Sequence, residues 1–293
     1  MQQTLAFPAE VSEGLDEVVD RLQKLGFNGF SDSTLTNASM HLIRAKGKLV
    51  RPALTLLGSY CTNGIVPVTI DAAVAVELIH TASLIHDDMI DGDDVRRGVA
   101  TVHSEYGPEI ALLSGDMLIS KAIEVSSTCG VDAIRELARA AMDMCEGEAR
   151  DYQAQKRVQR LSVEDYVATV ELKTASLLGS CAAIGGIVSG CSQTQSEMLR
   201  EYGRSVGLAF QIRDDYFNFQ GLQLDKPKTT GNDVRKNRPN VIGSLLSEMD
   251  AEEAVAAAKR MNAKFIQQAK LIAERIGPKA SLLAGYAELM SIT

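Results

Sequence analysis

The stretch Leu78-Ile79-His80-Thr81-Ala82-Ser83-Leu84-Ile85-His86-Asp87-Asp88-Met89-Ile90-Asp91 is mostly apolar and then becomes acidic. Its apolar residues recur at helical spacing, with no strand-like alternation. Asp87 and Asp91 are four apart, so on a helix they share one face, with Cβ atoms roughly 5–6 Å apart. Like charges at that spacing destabilise a bare helix, so a cation is expected between them. A second stretch, Arg213-Asp214-Asp215-Tyr216-Phe217-Asn218, repeats the adjacent aspartates and ends on an amide. Mg²⁺ is usually held by one or two carboxylates plus substrate phosphates. Two such helices predict an acidic cleft that grips a polyphosphate through metal ions.

Helical periodicity dominates the rest of the chain as well. Helices are expected over 8–25, 33–46, 50–62, 68–90, 109–127, 131–157, 163–188, 194–220, 240–248, 251–276 and 279–291, and no convincing strand is found. Gly130 and Gly277-Pro278 punctuate them, and Ser162 followed by Asp165 resembles a capping box with Asp in the Glu position. The longest irregular segment, Gly221 to Pro239, directly follows the second acidic stretch. It reads either as a lid over the cleft or as a surface loop. No linker or low-complexity tract divides the chain, so residues 1–293 are expected to form one all-helical domain.

Lys and Arg number 30 against 38 Asp and Glu, for a net charge of −8. That sign argues against nonspecific binding to nucleic acid or to an anionic membrane. Aromatics make up 5% and tryptophan is absent, which disfavours a base-stacking platform. Cys61, Cys129, Cys145, Cys181 and Cys191 show neither a C-x-x-C pair nor zinc spacing. Buried thiols in a reducing, cytoplasmic compartment are expected. The first basic residue is Arg21, so a positively charged signal-peptide start is not expected. An uncharged run between Lys173 and Glu197 contains a G-x-x-x-G pair, Gly186 and Gly190. Ser, Thr and Gln interrupt it, so a closely packed buried helix is expected rather than a membrane span.

The first acidic cluster includes Asp87, Asp88, Asp91, Asp93 and Asp94, and Arg96-Arg97-Gly98 follows. A calcium loop of EF-hand type fails, because Met89 takes a ligand position and Gly98 stands where a bidentate Glu is required. Two guanidiniums beside carboxylates make a place for a diphosphate with its metals. Further basic and polar groups lie in Lys46-Gly47-Lys48-Leu49-Val50-Arg51-Pro52, at His80, at Lys173-Thr174, at Gln211, and at Lys226, Lys228 and Arg238. The glycine spacing of the first of these is wrong for a Walker A loop. So many separate groups suggest two phosphate-bearing ligands.

The ordered set Gly47-Lys48-x-x-Arg51-Pro52, Leu78 through Asp91, Arg96-Arg97-Gly98, Lys173-Thr174-Ala175 and Phe210-Gln211-x-x-Asp214-Asp215 resembles the trans-isoprenyl diphosphate synthases. The resemblance implies an antiparallel helical bundle around a deep central cavity, usually in a homodimer. It implies head-to-tail condensation of isopentenyl diphosphate with an allylic diphosphate, assisted by Mg²⁺, three ions per active site. Asp87, Asp88, Asp91 and Asp214 would be the metal-binding carboxylates, with Asp215 supporting them. Arg96, Lys173, Thr174, Gln211 and a loop lysine would hold the allylic diphosphate. Lys48, Arg51, His80 and Arg97 would hold isopentenyl diphosphate. The reaction needs no nucleophilic Ser or Cys. It needs cations against the charge that develops on the leaving diphosphate, and exclusion of water from the carbocation.

Asn218 stands where the family's second motif has a third aspartate, Leu49 where it usually has a basic residue, and Arg238 where it has a lysine. The loop lysine is either Lys226 or Lys228, with spacing to Asp233 favouring Lys228. Ala82 and Ser83 lie about one turn before Asp87, where the family's bulky residues cap the cavity. Small residues there, and Glu146-Gly147-Glu148, imply a product of geranylgeranyl length or longer. A shorter, farnesyl-type synthase, a terpene cyclase or head-to-head condensing enzyme, and a non-catalytic partner subunit are the rival expectations. The set Lys48, Arg51, His80 and Arg97 argues against a cyclase or a head-to-head condensing enzyme.

Overall fold

The computed structural model describes residues 7–27, 34–45, 47–157, 160–221, 238–277 and 279–292. In order these form α1 (Ala9–Gln23), α2 (Thr34–Arg44), α3 (Val50–Tyr60), α4 (Pro67–Asp91), a hairpin of β1 (Val95–Arg96) and β2 (Val99–Ala100), and α5 (Val102–Tyr106). There follow α6 (Pro108–Ser126), α7 (Val131–Arg157), α8 (Val163–Val170), a π turn (Glu171–Ala175), α9 (Ser176–Val188) and α10 (Gln193–Phe219). The chain closes with α11 (Val241–Leu245), α12 (Ala251–Ala273) and α13 (Ala280–Glu288). The fold is all-α, as expected.

The uncharged run after Lys173 explains the bundle's centre. α9 packs against α3 on one side and α10 on the other, and glycines permit the contact. A Cβ on Gly185 would meet the Thr55 carbonyl oxygen at 1.9 Å, and one on Gly203 would meet that of Leu178 at 2.4 Å. Only backbones without side chains can approach so closely. Leu54, Leu56, Leu57, Leu78, Leu177 and Leu178 are all fully buried in the resulting core, each contributing about 1.5–3 kcal/mol. A second apolar cluster, with Tyr166, Leu208, Ile212, Val241 and Leu245, sits under the opposite end of α10. Two helical stretches, Pro67–Asp91 and Val163–Val188, are long and apolar enough to cross a membrane. Their apolar windows are 72% and 67% buried by neighbouring elements, which makes them core helices here.

Four features depart from the expectation, the first being the short helix α5, which lies between the expected helices 68–90 and 109–127. The helix expected over 163–188 is interrupted by the π turn. A two-stranded hairpin was not expected, and its cause is local. Arg97 and Gly98, the two residues between the strands, have φ of +53° and +79°, and two positive φ values in a two-residue loop are the requirement of a type I′ turn. The expected helix 240–248 is shortened to Val241–Leu245, capped by the Asn240 side chain accepting from the Gly243 N–H. The capping expectation at Ser162 holds, its Oγ accepting from the Asp165 N–H at 3.0 Å.

Candidate active site

The two acidic stretches end α4 and α10 and face one another across a cleft of about 1670 Å³. α4 stops because Gly92 adopts a left-handed conformation and accepts no further turn. Asp87 and Asp91 line the cleft from α4, Asp214 from α10, and Glu148 and Asp151 from α7. Burial, then the Glu148 carboxylate, push the Asp87 carboxyl up to about 7, with Asp91 adding to the effect and Lys173 and Arg96 opposing it. Glu148 is likewise raised by burial. This wall therefore has more carboxylate than cation.

That surplus fits a divalent cation, and the oxygen-only ligands suit Mg²⁺. Among the described residues, no three acidic, His or Cys side chains converge tightly enough to hold one ion unaided. The two observations agree if phosphate oxygens and water complete each shell, as Mg²⁺ commonly requires. Asp87, Asp91 and Asp214 are the side chains placed to do this. The resident cations instead neutralise neighbouring acids. Arg238 reaches both Asp91 and Asp93 at 3.0 Å.

Asp88 corrects the sequence expectation. It is fully buried, does not line the cleft, and accepts from Arg96 Nε at 2.7 Å and from Arg96 Nη2. Asp88 thus orients Arg96 rather than facing a metal. Asp215 is also buried, accepting from Tyr166 Oη at 2.6 Å, the Val241 N–H at 2.9 Å and Gln211 Nε2 at 2.8 Å.

Lys173 lies in the π turn between two acids, with Nζ 2.7 Å from Glu148 Oε2 and also bonded to Asp151. Burial opposes its charge, but Asp151, Glu148 and Asp87 outweigh that and hold the ammonium above its ordinary value. Gly147 permits this, since a Cβ there would meet the Lys173 backbone N at 2.3 Å. π turns recur at functional sites. Thr174, the next residue, donates to Gln211 Oε1 at 3.2 Å.

The second basic group forms a separate wall. The I′ turn splits the two arginines: Arg96 turns back to Asp88, while Arg97 donates to the Leu42 carbonyl at 2.9 Å and contacts Glu77 at 3.3 Å. Gly47 lets it lie there, because a Cβ would sit 2.7 Å from Arg97 Nη2. Arg51 donates to His80 Nε2 at 2.9 Å. Burial, then Arg51 and Arg97, hold His80 well below its ordinary value, so it is neutral. Arg51 Nε and His80 Nδ1 are buried with no protein partner, which leaves two donors available to an anion. Lys48 lines the same wall. Leu49, with φ of +54°, is strained between Lys48 and Arg51.

Below the acids the cleft is lined by Ser83, Ile119, Ala141, Met144 and Phe210. Ser83 lies on that wall. Ala82 does not; it is buried in the core behind it. Lys226 and Lys228 lie outside the described residues. Sequence reasoning missed Asp151, Glu77 and Tyr166. Asp151 could have been found, as it follows Glu148 by three and so shares its helical face; Tyr166 carries no local signal, its partner being 49 residues away.

Residues 32–274 match the family model described as polyprenyl synthetase. The chain belongs to the trans-isoprenyl diphosphate synthase family. It is 38% identical over 216 residues to a short chain isoprenyl diphosphate synthase of Methanocaldococcus jannaschii, covering 72% of this chain and 65% of that protein. It is 35% identical over 270 residues to the protein of the same name from Methanothermobacter thermautotrophicus, covering 89% of this chain and 83% of the relative. Its fold matches the geranylgeranyl pyrophosphate synthetase of Pyrococcus horikoshii with a TM-score of 0.85 at 28% identity, over 97% of this chain and 98% of that one. Proteins of this family are prenyltransferases.

Proposed function

We propose that the chain is a Mg²⁺-dependent prenyltransferase. It would condense isopentenyl diphosphate with an allylic diphosphate, head to tail, to give a linear polyprenyl diphosphate of geranylgeranyl length or longer. The observation that carries this is the pairing of two anion sites in one cleft. One is acidic and suited to metal-bound diphosphate; the other is cationic, with unpartnered donors on Arg51 and His80. A cyclase or a passive subunit has no use for the second.

Asp87, Asp91 and Asp214 would hold Mg²⁺, which supplies charge against the leaving diphosphate. Arg96, Lys173, Gln211, Arg238 and a loop lysine would bind the allylic diphosphate. Asp88 fixes Arg96, and Asp215 fixes Gln211. Lys48, Arg51, His80 and Arg97 would hold isopentenyl diphosphate, with Glu77 aligning Arg97. The Ser83, Ile119 and Met144 wall keeps water from the cationic allyl group and receives its tail. Loss of the final proton needs no dedicated protein base; the released diphosphate can accept it. Exposed Leu112, Leu113 and Ile123 on α6 and Met142 on α7 favour a homodimer through that face. We further propose a cytoplasmic location, in keeping with five free thiols.

The test is an assay of the purified chain with labelled isopentenyl diphosphate, several allylic primers and Mg²⁺ or EDTA. Linear prenyl diphosphates that vanish with EDTA are expected. Cyclic products, or no turnover without an added subunit, would refute the reading.

A further inference from the structure

Four side chains form one hydrogen-bonded row across the allylic wall. Tyr166 Oη donates to Asp215 Oδ2 at 2.6 Å, and the Val241 N–H donates to the same oxygen at 2.9 Å. Gln211 Nε2 donates to Asp215 Oδ1 at 2.8 Å, and Thr174 Oγ1 donates to Gln211 Oε1 at 3.2 Å. All four side chains line the cleft, and Tyr166, Asp215 and Thr174 are respectively 2%, 6% and 8% exposed.

The proton count gives the row a direction. A phenol or an alcohol has one proton to donate, an ionised carboxylate has none, and an amide donates only from nitrogen. Burial, then the Asp215 carboxylate, hold the Tyr166 phenol well above its ordinary value, so it remains a donor. With Tyr166 and Val241 donating, Asp215 acts as the acceptor. Gln211 must then turn its nitrogen to Asp215 and its oxygen to Thr174. Thr174 spends its only proton on Gln211, so in this arrangement it has none for the diphosphate that the family resemblance gave it, and its remaining lone pairs stay available to the cleft. We propose that Tyr166 is a positioning residue: by fixing Asp215 as acceptor it sets the orientation of the Gln211 amide and the sense in which Thr174 meets the substrate. Without the phenol, Asp215 loses one of its donors, and the amide orientation is less strongly imposed.

This rests on the prenyltransferase reading, and the test separates the two, since wild-type turnover examines that reading and the ratios among variants examine this one. Tyr166→Phe keeps the ring in its apolar cluster and removes only the hydroxyl. We expect kcat to fall about tenfold with KM for isopentenyl diphosphate unchanged. The deciding measurement is a double-mutant cycle with Thr174→Val, the approach that apportions such networks. If Tyr166 acts through the row, Thr174→Val costs at least about fivefold less kcat in the Tyr166→Phe background than in the wild type. Thr174→Ser, which keeps the hydroxyl, restores most of the activity lost in Thr174→Val. A Tyr166 that only packs α8 against α10 gives multiplicative losses and a lowered Tm, and that result overturns the proposal. So does a Tyr166→Phe enzyme with kcat within twofold of wild type. Gln211→Met in the Tyr166→Phe background repeats the test through a second link, should the Thr174 variants fold poorly.

Discussion

Gly147→Ala should cripple turnover while leaving one substrate site intact. The added Cβ would stand 2.3 Å from the Lys173 backbone N and 2.6 Å from its Cα, where ordinary contact begins at 3.4 Å. Relieving the first contact takes about 1.1 Å of relative movement between α7 and the π turn. Both neighbours are backbone, so no side chain can swing aside. Whichever element yields, Lys173 separates from Glu148 and Asp151, and Thr174 shifts beneath Gln211. A misplacement of about 1 Å costs on the order of 100-fold in rate. Overpacking of a buried contact costs about 1–3 kcal/mol, so Tm should fall while the fold survives. KM for isopentenyl diphosphate should be unchanged, because Lys48, Arg51, His80 and Arg97 sit on other elements. Steady-state assays varying each substrate, with thermal unfolding by circular dichroism, measure all three quantities. A kcat within threefold of wild type would show that the π turn adapts freely, and would refute the argument that Gly147 sets the position of Lys173.

Chain length should respond to Ser83 and not to Ala82. Ser83→Phe fills the cleft below the acids and should shift product chromatograms to shorter prenyl diphosphates; Ala82→Phe overpacks the core and should lower Tm, by about 1–3 kcal/mol of stability, without shortening the product. The two aspartates of the first motif should also separate. Asp88→Asn removes the buried carboxylate bonded to Arg96, leaving Asp93 at 3.6 Å as an ion partner, and should destabilise by about 1–3 kcal/mol, seen in urea denaturation, whereas Asp87→Asn should preserve stability, cut turnover and raise the Mg²⁺ concentration that half-saturates it. His80 is held well below its ordinary value of 6.5, so in acid the unfolded chain binds a proton that the folded chain refuses. The His80 share of the stability should be lost as pH falls from about 7 through 6.5, while Asp87, raised to about 7, acts in the opposite sense; the difference in Tm between wild type and His80→Gln, measured from pH 5 to pH 8, should therefore shrink toward acid pH.

The spacing of the motifs held more than their composition suggests. Successive residues on a helix are roughly 100° apart, so the adjacent aspartates of each pair point in different directions: Asp87 lines the cleft and Asp88 does not, while Asp214 and Asp215 both border it at different angles. Asp87 and Asp91 share the cleft face; Asp88 turns inward to Arg96, and Asp215 to Tyr166. Periodicity thus shows that adjacent aspartates diverge, but only the packed partners, Arg96 for Asp88 and Tyr166 for Asp215, show which way each turns. The bundle was legible for the same reason, since burying the uncharged run from Lys173 requires neighbours on every side. The hairpin and the π turn were not. The first depends on Arg97 adopting a left-handed conformation that its side chain disfavours, and the second on Gly147, 26 positions earlier in the chain, lacking a Cβ. Each is imposed by contacts between distant segments, and each places a cation: Arg97 on one wall, Lys173 on the other. The acids are carried by regular helix, where pattern reaches them. Two of the cations proposed to meet the diphosphates, Arg97 and Lys173, are carried by irregular backbone, whose strain only the assembled core can hold.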